Sequence, residues 1–161
     1  MLEINDGYNK LKIEIKNYTD KSTRISQRID EDESWCDFSI SIKNEYVELE
    51  NSYYDLKNEE VDYLYEMLNN FTQNKMNDNC SFEPLEPSFK VYFYPFGEEY
   101  KNNNYIQNEF NTNDKILRLF ICFVEKSTMA LCEDGVSIVI DNKSVEKITE
   151  YFKKIQILKS K

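Results

Sequence analysis

Phe38-Ser39-Ile40-Ser41-Ile42-Lys43-Asn44-Glu45-Tyr46-Val47-Glu48-Leu49, followed shortly by Asn58-Glu59-Glu60-Val61-Asp62-Tyr63-Leu64, is where the fold is decided. Apolar and polar residues alternate through Ile42, which predicts a strand with one buried face. Lys43-Asn44-Glu45 supplies a turn. Val47 and Leu49 resume the alternation, so the two strands form a hairpin and the sheet is antiparallel. At Asn58 the period changes. Val61, Leu64, Leu68 and Phe71 fall on one helical face. Asn58 reads as the N-cap, and Glu59, Glu60 and Asp62 lie where the helix dipole favours anions.

Outward from this stretch, Leu11, Ile13 and Ile15 alternate with charged residues and predict an earlier strand. Residues 19–34 are polar, with Ile25 and Ile29 as their only strong apolar marks, and read as a loop. Residues 80–83 are extended again, but Pro84 and Pro87 cannot donate to a ladder, so this is an edge or bulged strand. Phe89, Val91 and Phe93 alternate with polar or tyrosyl neighbours. Residues 105–110 read as a short edge strand. Residues 116–124 are the most apolar run in the chain and suit a central strand. Asp134-Gly135, between residues 129–133 and 136–140, reads as a type I′ hairpin turn. Val145, Ile148, Phe152 and Ile155 form a second helical face, capped by Asp141 or Asn142. The expected architecture is a single α+β domain over residues 1–161. It has one antiparallel sheet of about six to eight strands, with two amphipathic helices packed mainly on one face.

Charge narrows the function. The chain carries 30 acidic and 20 basic residues, a net charge of -10, and no histidine. Phosphate neutralisation needs clustered Lys and Arg, so nucleic acid is a poor partner, and an anionic membrane surface is disfavoured for the same reason. A basic protein is what such a field attracts and steers. Without histidine there is no His-based triad and no His metal site. No phosphate-binding or dinucleotide fingerprint is present. Glu83 and Glu86 would tend to point to opposite faces of a strand, which disfavours an acid/base pair. No catalytic residue, cofactor or metal site is therefore expected.

Cys36, Cys80, Cys122 and Cys132 show no CxxC spacing. The first residues show no basic region followed by an apolar one, and no apolar run is long enough to span a membrane. Reduced thiols in a cytoplasm are the expectation.

Asp30-Glu31-Asp32-Glu33-Ser34-Trp35-Cys36-Asp37 sets four consecutive carboxylates beside the only tryptophan. Like charges in a row belong in solvent. Trp35 has two readings: it opens a strand and packs inward, or it anchors an interface whose acidic rim is Asp30, Glu31, Asp32, Glu33 and Asp37.

Several of these features together resemble the small immunity proteins of bacterial contact-dependent and polymorphic toxin systems, particularly the WapI-like type. They are the early Leu11-Lys12-Ile13-Glu14-Ile15 strand and the acidic loop into Trp35-Cys36-Asp37-Phe38-Ser39-Ile40-Ser41-Ile42. Phe82-Glu83-Pro84-Leu85-Glu86-Pro87-Ser88-Phe89 after the first helix, and the terminal amphipathic helix, complete the set. The resemblance implies an α+β fold that binds and blocks one cognate toxin, often a nuclease, and it carries over no contact residue. A structural or adaptor domain with a different protein partner is the alternative reading. An enzyme with a pocket of Glu and Tyr is a more distant one.

Overall fold

The computed structural model describes residues 1–5, 7–30, 34–85, 89–96, 115–122 and 135–158, with side chains throughout these except at 50–54, 122 and 158. The elements in chain order are β1 (Leu2–Asn5), β2 (Lys10–Lys16), α1 (Lys21–Gln27), β3 (Trp35–Lys43), β4 (Glu48–Lys57) and α2 (Asn58–Thr72). They continue with β5 (Cys80–Phe82), β6 (Phe89–Tyr94), β7 (Ile116–Cys122), β8 (Gly135–Ile140) and α3 (Asn142–Leu158). The class is α+β, as the change of period at Asn58 predicts.

The described strands form two four-stranded antiparallel sheets, ordered β1-β2-β3-β4 and β5-β6-β7-β8, where one sheet is expected. Alternation in sequence tells which face of a strand is buried. It does not tell which strand lies alongside, and among the described residues no strand after α2 pairs with one before it. The chain divides into two compact units, Met1–Glu66 with Lys147–Lys161, and Met67–Glu146. The divisions fall inside α2 and inside α3.

In the first unit the predicted alternation is the core. Leu11, Ile13 and Ile15 of β2 lie opposite Ile42, Ile40 and Phe38 of β3, and all six are buried. Val61, Leu64, Ile148 and Phe152 are the buried apolar helical residues of this unit among those described. The Tyr151 hydroxyl accepts a hydrogen bond from the Ile15 amide at 3.0 Å, tying α3 to β2. The turn after β3 is closed by Asn44, whose Oδ1 accepts from the amides of Tyr46 and Val47.

The second unit repeats the plan. Phe89, Val91 and Phe93 of β6 face Ile121, Leu119 and Leu117 of β7. Leu119 and Leu117 in turn face Ile138 and Ile140 of β8. Among the described strands β7 is an inner one, as its apolar run predicts, and β5 lies at the edge, one of the two readings of residues 80–83. Phe71 of α2 meets Phe93 edge-on, with centroids 5.5 Å apart. Lys115 Nζ donates to the carbonyls of Phe71 and Thr72, both at 2.9 Å, and so caps the end of α2.

Two further expectations need correction. Among the described residues there are three helices, since α1 occupies part of the stretch read as a loop. Asp20 caps it by accepting from the Thr23 amide at 3.1 Å, and Arg28 ends it in the left-handed region with φ 55°. This helix buries Arg24 and leaves Ile25 68% exposed, so it offers no apolar face to read. Gly135 is not a turn residue. It is the first residue of β8 and pairs with Cys122 of β7. A Cβ there would lie 2.3 Å from the Ile121 carbonyl oxygen, so glycine is required by close approach of two backbones. The stretches 105–110 and 129–133, read as strands, lie outside the described residues.

Candidate partner-binding surface

β3 alternates its side chains, and the burial follows: Cys36, Phe38, Ile40 and Ile42 are buried, while Trp35, Asp37, Ser39 and Ser41 are half-buried on the other face. Trp35 therefore opens the strand, as one reading held, but does not point along the core stripe. Lys57, its cross-strand neighbour, holds Nζ 5.7 Å from the centroid of the indole. Asp37 lies on the same face, between Lys16 of β2 and Asp55 of β4. Its Oδ2 accepts from Asn17 Nδ2 at 2.7 Å. Asp30 is exposed, and Glu31, Asp32 and Glu33 lie outside the described residues. The structure thus brings Trp35 and Asp37 onto one sheet face and leaves Asp30 in the connection that precedes it.

Ser34 joins this connection to the helices. Its carbonyl accepts from the Asn58 amide at 2.9 Å, and its hydroxyl accepts from Asn58 Nδ2. Asn58 Oδ1 accepts from the Thr19 amide at 3.2 Å. Asn58 is only 1% exposed, so this residue, expected to cap α2, instead pins α1's lead-in to β3's lead-in. Glu60 does the capping, its Oε2 accepting from the Lys57 amide at 2.8 Å.

Beside that junction lies a polar network that the sequence reading missed. Asp62 of α2 accepts from the Tyr18 hydroxyl, from Arg24 Nη2 at 2.6 Å and from Gln156 Nε2 at 3.1 Å. Arg24 Nη1 donates to the Thr19 carbonyl. Burial draws the Arg24 guanidinium down, but the Asp62 carboxylate outweighs it and holds the group above its ordinary value. Burial, then the hydrogen bond to Asp62, pushes the Tyr18 phenol up. The only sequence signal for this network was Asp20 ahead of Ser22 and Thr23, a helix start with no apolar periodicity behind it.

An open cavity of about 460 Å³ lies over this network, lined by α1, α2 and α3. Among the described residues, no group of three or more Cys, Asp or Glu is placed to hold a metal ion, and no helix is long and apolar enough to cross a membrane. Cys36 and Cys80 form no disulfide. Burial, and then Asp78, raise the Cys80 thiol, which makes it a poorer nucleophile. Glu83 pairs with Lys90 at 2.8 Å, and Glu86 lies outside the described residues.

Compared with known families, the chain matches the family described as "Immunity protein WapI-like family" over residues 1–155. No curated protein and no solved structure matches it.

Proposed function

The chain belongs to the WapI-like immunity protein family, and from that premise we propose that it binds and blocks one cognate bacterial toxin domain without catalysing a reaction. The observation that carries the reading is the family match, which takes in all but the last turn of α3. The net charge of -10 supports a basic toxin domain as the partner. We place the first contact at Asp30, Glu31, Asp32, Glu33 and Asp37, which steer encounter, with Trp35 as anchor. Their support is the outward face of β3, where Trp35 and Asp37 stand together. The site of action is the cytoplasm of the producing cell.

The test is co-expression with the toxin domain encoded directly beside this chain. Survival of cells that the toxin alone kills, together with co-elution of the two proteins at a fixed ratio, is the expected result. Survival without complex formation would point to enzymatic removal of the toxin's damage. Neither survival nor complex would leave the adaptor reading in its place.

A further inference from the structure

We propose that residues 19–28, which contain α1, are a strap that opens and closes as a unit on the folded chain, and that its closed state fixes Trp35 through Asn58. The strap is a property of the chain alone and holds whatever partner the chain has.

Apolar burial does not hold α1 down. Its seven residues bury one side chain, Arg24, and leave their single aliphatic one, Ile25, 68% exposed. A helix of this length has little stability of its own. Its fastenings are polar. Arg24 Nη2 donates to Asp62 at 2.6 Å, Arg24 Nη1 to the Thr19 carbonyl, and the Thr19 amide to Asn58 Oδ1 at 3.2 Å. Each of these groups finds water when the strap lifts, so each contributes only modestly to closure. In the same unit β2 and β3 face each other through buried Leu, Ile and Phe, contacts that water does not replace. The strap therefore opens at a lower cost than unfolding of the sheet.

Backbone geometry marks both ends of the strap. Among the described residues, those other than glycine with positive φ are Asn17 at 57°, Arg28 at 55° and Asn74 at 56°. The first two bracket residues 18–27. Asparagine tolerates the left-handed region, whereas for arginine it is a strained conformation. Arg28 is kept there by its own amide, which donates to the Ile25 carbonyl at 3.2 Å, and by the Ile29 amide, which donates to the Arg24 carbonyl at 3.0 Å. Once lifted, so short a helix unwinds and Arg28 relaxes. Closure thus works against a small backbone strain at the hinge.

Asn58 carries the state of the strap to β3. Its side-chain amide is held at both ends: Oδ1 accepts from Thr19 of the strap, and Nδ2 donates to the Ser34 hydroxyl. Asn58 is 1% exposed and Ser34 5%, and Ser34 immediately precedes Trp35. With the strap open, Asn58 loses the Thr19 amide, water enters the junction, and the side chain no longer sets Ser34. Trp35 then loses its fixed place beside Lys57. Whatever grips Trp35 in its closed-state position holds the strap shut, because the linkage is reciprocal.

The test is native-state amide exchange by NMR on the full, isotope-labelled chain, with the indole N–H of Trp35, the only tryptophan, as a second readout. The amides of Arg24, Arg28 and Ile29 should exchange through one shared opening. They should do so about tenfold or more faster than the amides of β2 and β3, and with a weaker dependence on denaturant. Arg28→Gly, at an exposed hinge, should slow them about fivefold, the left-handed strain less the added freedom of glycine. Arg24→Ala should open the strap in a large share of molecules and move the indole signal. Adding Arg28→Gly should bring that signal back toward its native position. In an Asn58→Ala chain, Arg24→Ala should move it no further. Strap amides that exchange in step with the sheet, or at three unrelated rates, or no slower with Arg28→Gly, overturn the strap. An indole signal that ignores Arg24→Ala, or does not recover with Arg28→Gly, overturns the tie to Trp35. So does one that Arg24→Ala moves equally in the Asn58→Ala chain. The recovery measurement decides the tie by itself should Asn58→Ala not fold.

Discussion

The two units are built on one plan and filled differently. Each has a four-stranded antiparallel sheet whose inner strands face each other through buried Leu, Ile, Val and Phe. The second unit closes its core with aromatic rings, Phe71 on Phe93 and Phe82 near Phe89. Ser144 is its only buried polar residue among those described. The first unit buries Asp20, Arg24, Ser34, Asn58 and Thr149. Apolar burial gives stability without direction. Buried hydrogen-bonded polar groups cost desolvation and return a defined geometry. Among the described residues the second unit therefore has a nearly all-apolar core, while the first holds its helices and strand ends in fixed polar contacts.

The largest effect that would break this contrast is Phe93→Ala. Its ring is fully buried against Phe71, so the loss should be about 3–5 kcal/mol, read as a lower denaturation midpoint. We propose that the whole chain melts as one domain, because α2 and α3 each contribute to both units. The midpoint should then move as a single transition. Two transitions, only one of them shifted, would make the units independent.

Arg24→Ala comes next. It leaves Asp62 without its cation, at a cost of about 2–3 kcal/mol, below the fully buried case because Asp62 is partly exposed. Arg24→Met combined with Asp62→Asn removes both charges and keeps an acceptor for Tyr18. It should recover about 1 kcal/mol or more of that loss in chemical denaturation. A double variant worse than the single one would mean that the pair is a net source of stability, and the contrast between the units would fade.

Gly135→Val tests the apolar unit at its backbone. With Ile121's carbonyl oxygen 2.3 Å from the added Cβ, the strands must part, at about 2 kcal/mol. An unchanged melting temperature would show that β7 and β8 separate freely.

Asp20→Ala tests the polar unit at its cap, at about 1 kcal/mol. Hydrogen bonds from the hydroxyls of Ser22 and Thr23 lower the Asp20 carboxyl from 3.8 to about 2. A carboxyl depressed on folding stabilises the fold above its unfolded pKa and ceases to as pH falls through the folded value. The native chain should therefore lose this contribution between about pH 4 and pH 2. The difference in stability between native and variant should shrink over that window. A constant difference would mean that the cap works without its charge.

What could be read in the sequence followed the same division. The apolar stripes of β2, β3, β6, β7, α2 and α3 were legible because period and burial coincide, as in Ile13, Ile40, Val91 and Leu119. β1 was too short to show a period. α1 was invisible for the reason that makes it interesting: its one buried residue is Arg24, and hydropathy counts an arginine as outside. The division into two sheets was not legible, since Leu56 at the end of β4 and Phe82 at the end of β5 have the same local pattern whichever strand they join. Of the proposed contact surface, Trp35 and Asp37 could be singled out from the sequence, while the Tyr18–Arg24–Asp62–Gln156 network could not. Its members lie up to 138 positions apart and meet only through hydrogen bonds.

The smallest expected change in stability belongs to Trp35, and it is the sharpest test of the surface. The indole is half-buried on the face of β3 away from the core, with the Lys57 ammonium over it. Trp35→Ala should cost less than about 1 kcal/mol of folding stability, the scale of a partly exposed cation–π contact. Against the toxin domain the same change should act mainly on the off-rate, as loss of a packed anchor does. Neutralising Asp30, Glu31, Asp32 and Glu33 to their amides should instead slow association and flatten its dependence on salt, with folding unchanged. The two variants therefore separate anchor from steering within one unit. If Trp35→Ala unfolds the chain, the indole is a structural residue and the interface lies elsewhere. If the amide variant associates at the native rate at every salt concentration, the acidic run is a solvated connection into β3, and the steering charge must come from another part of the surface.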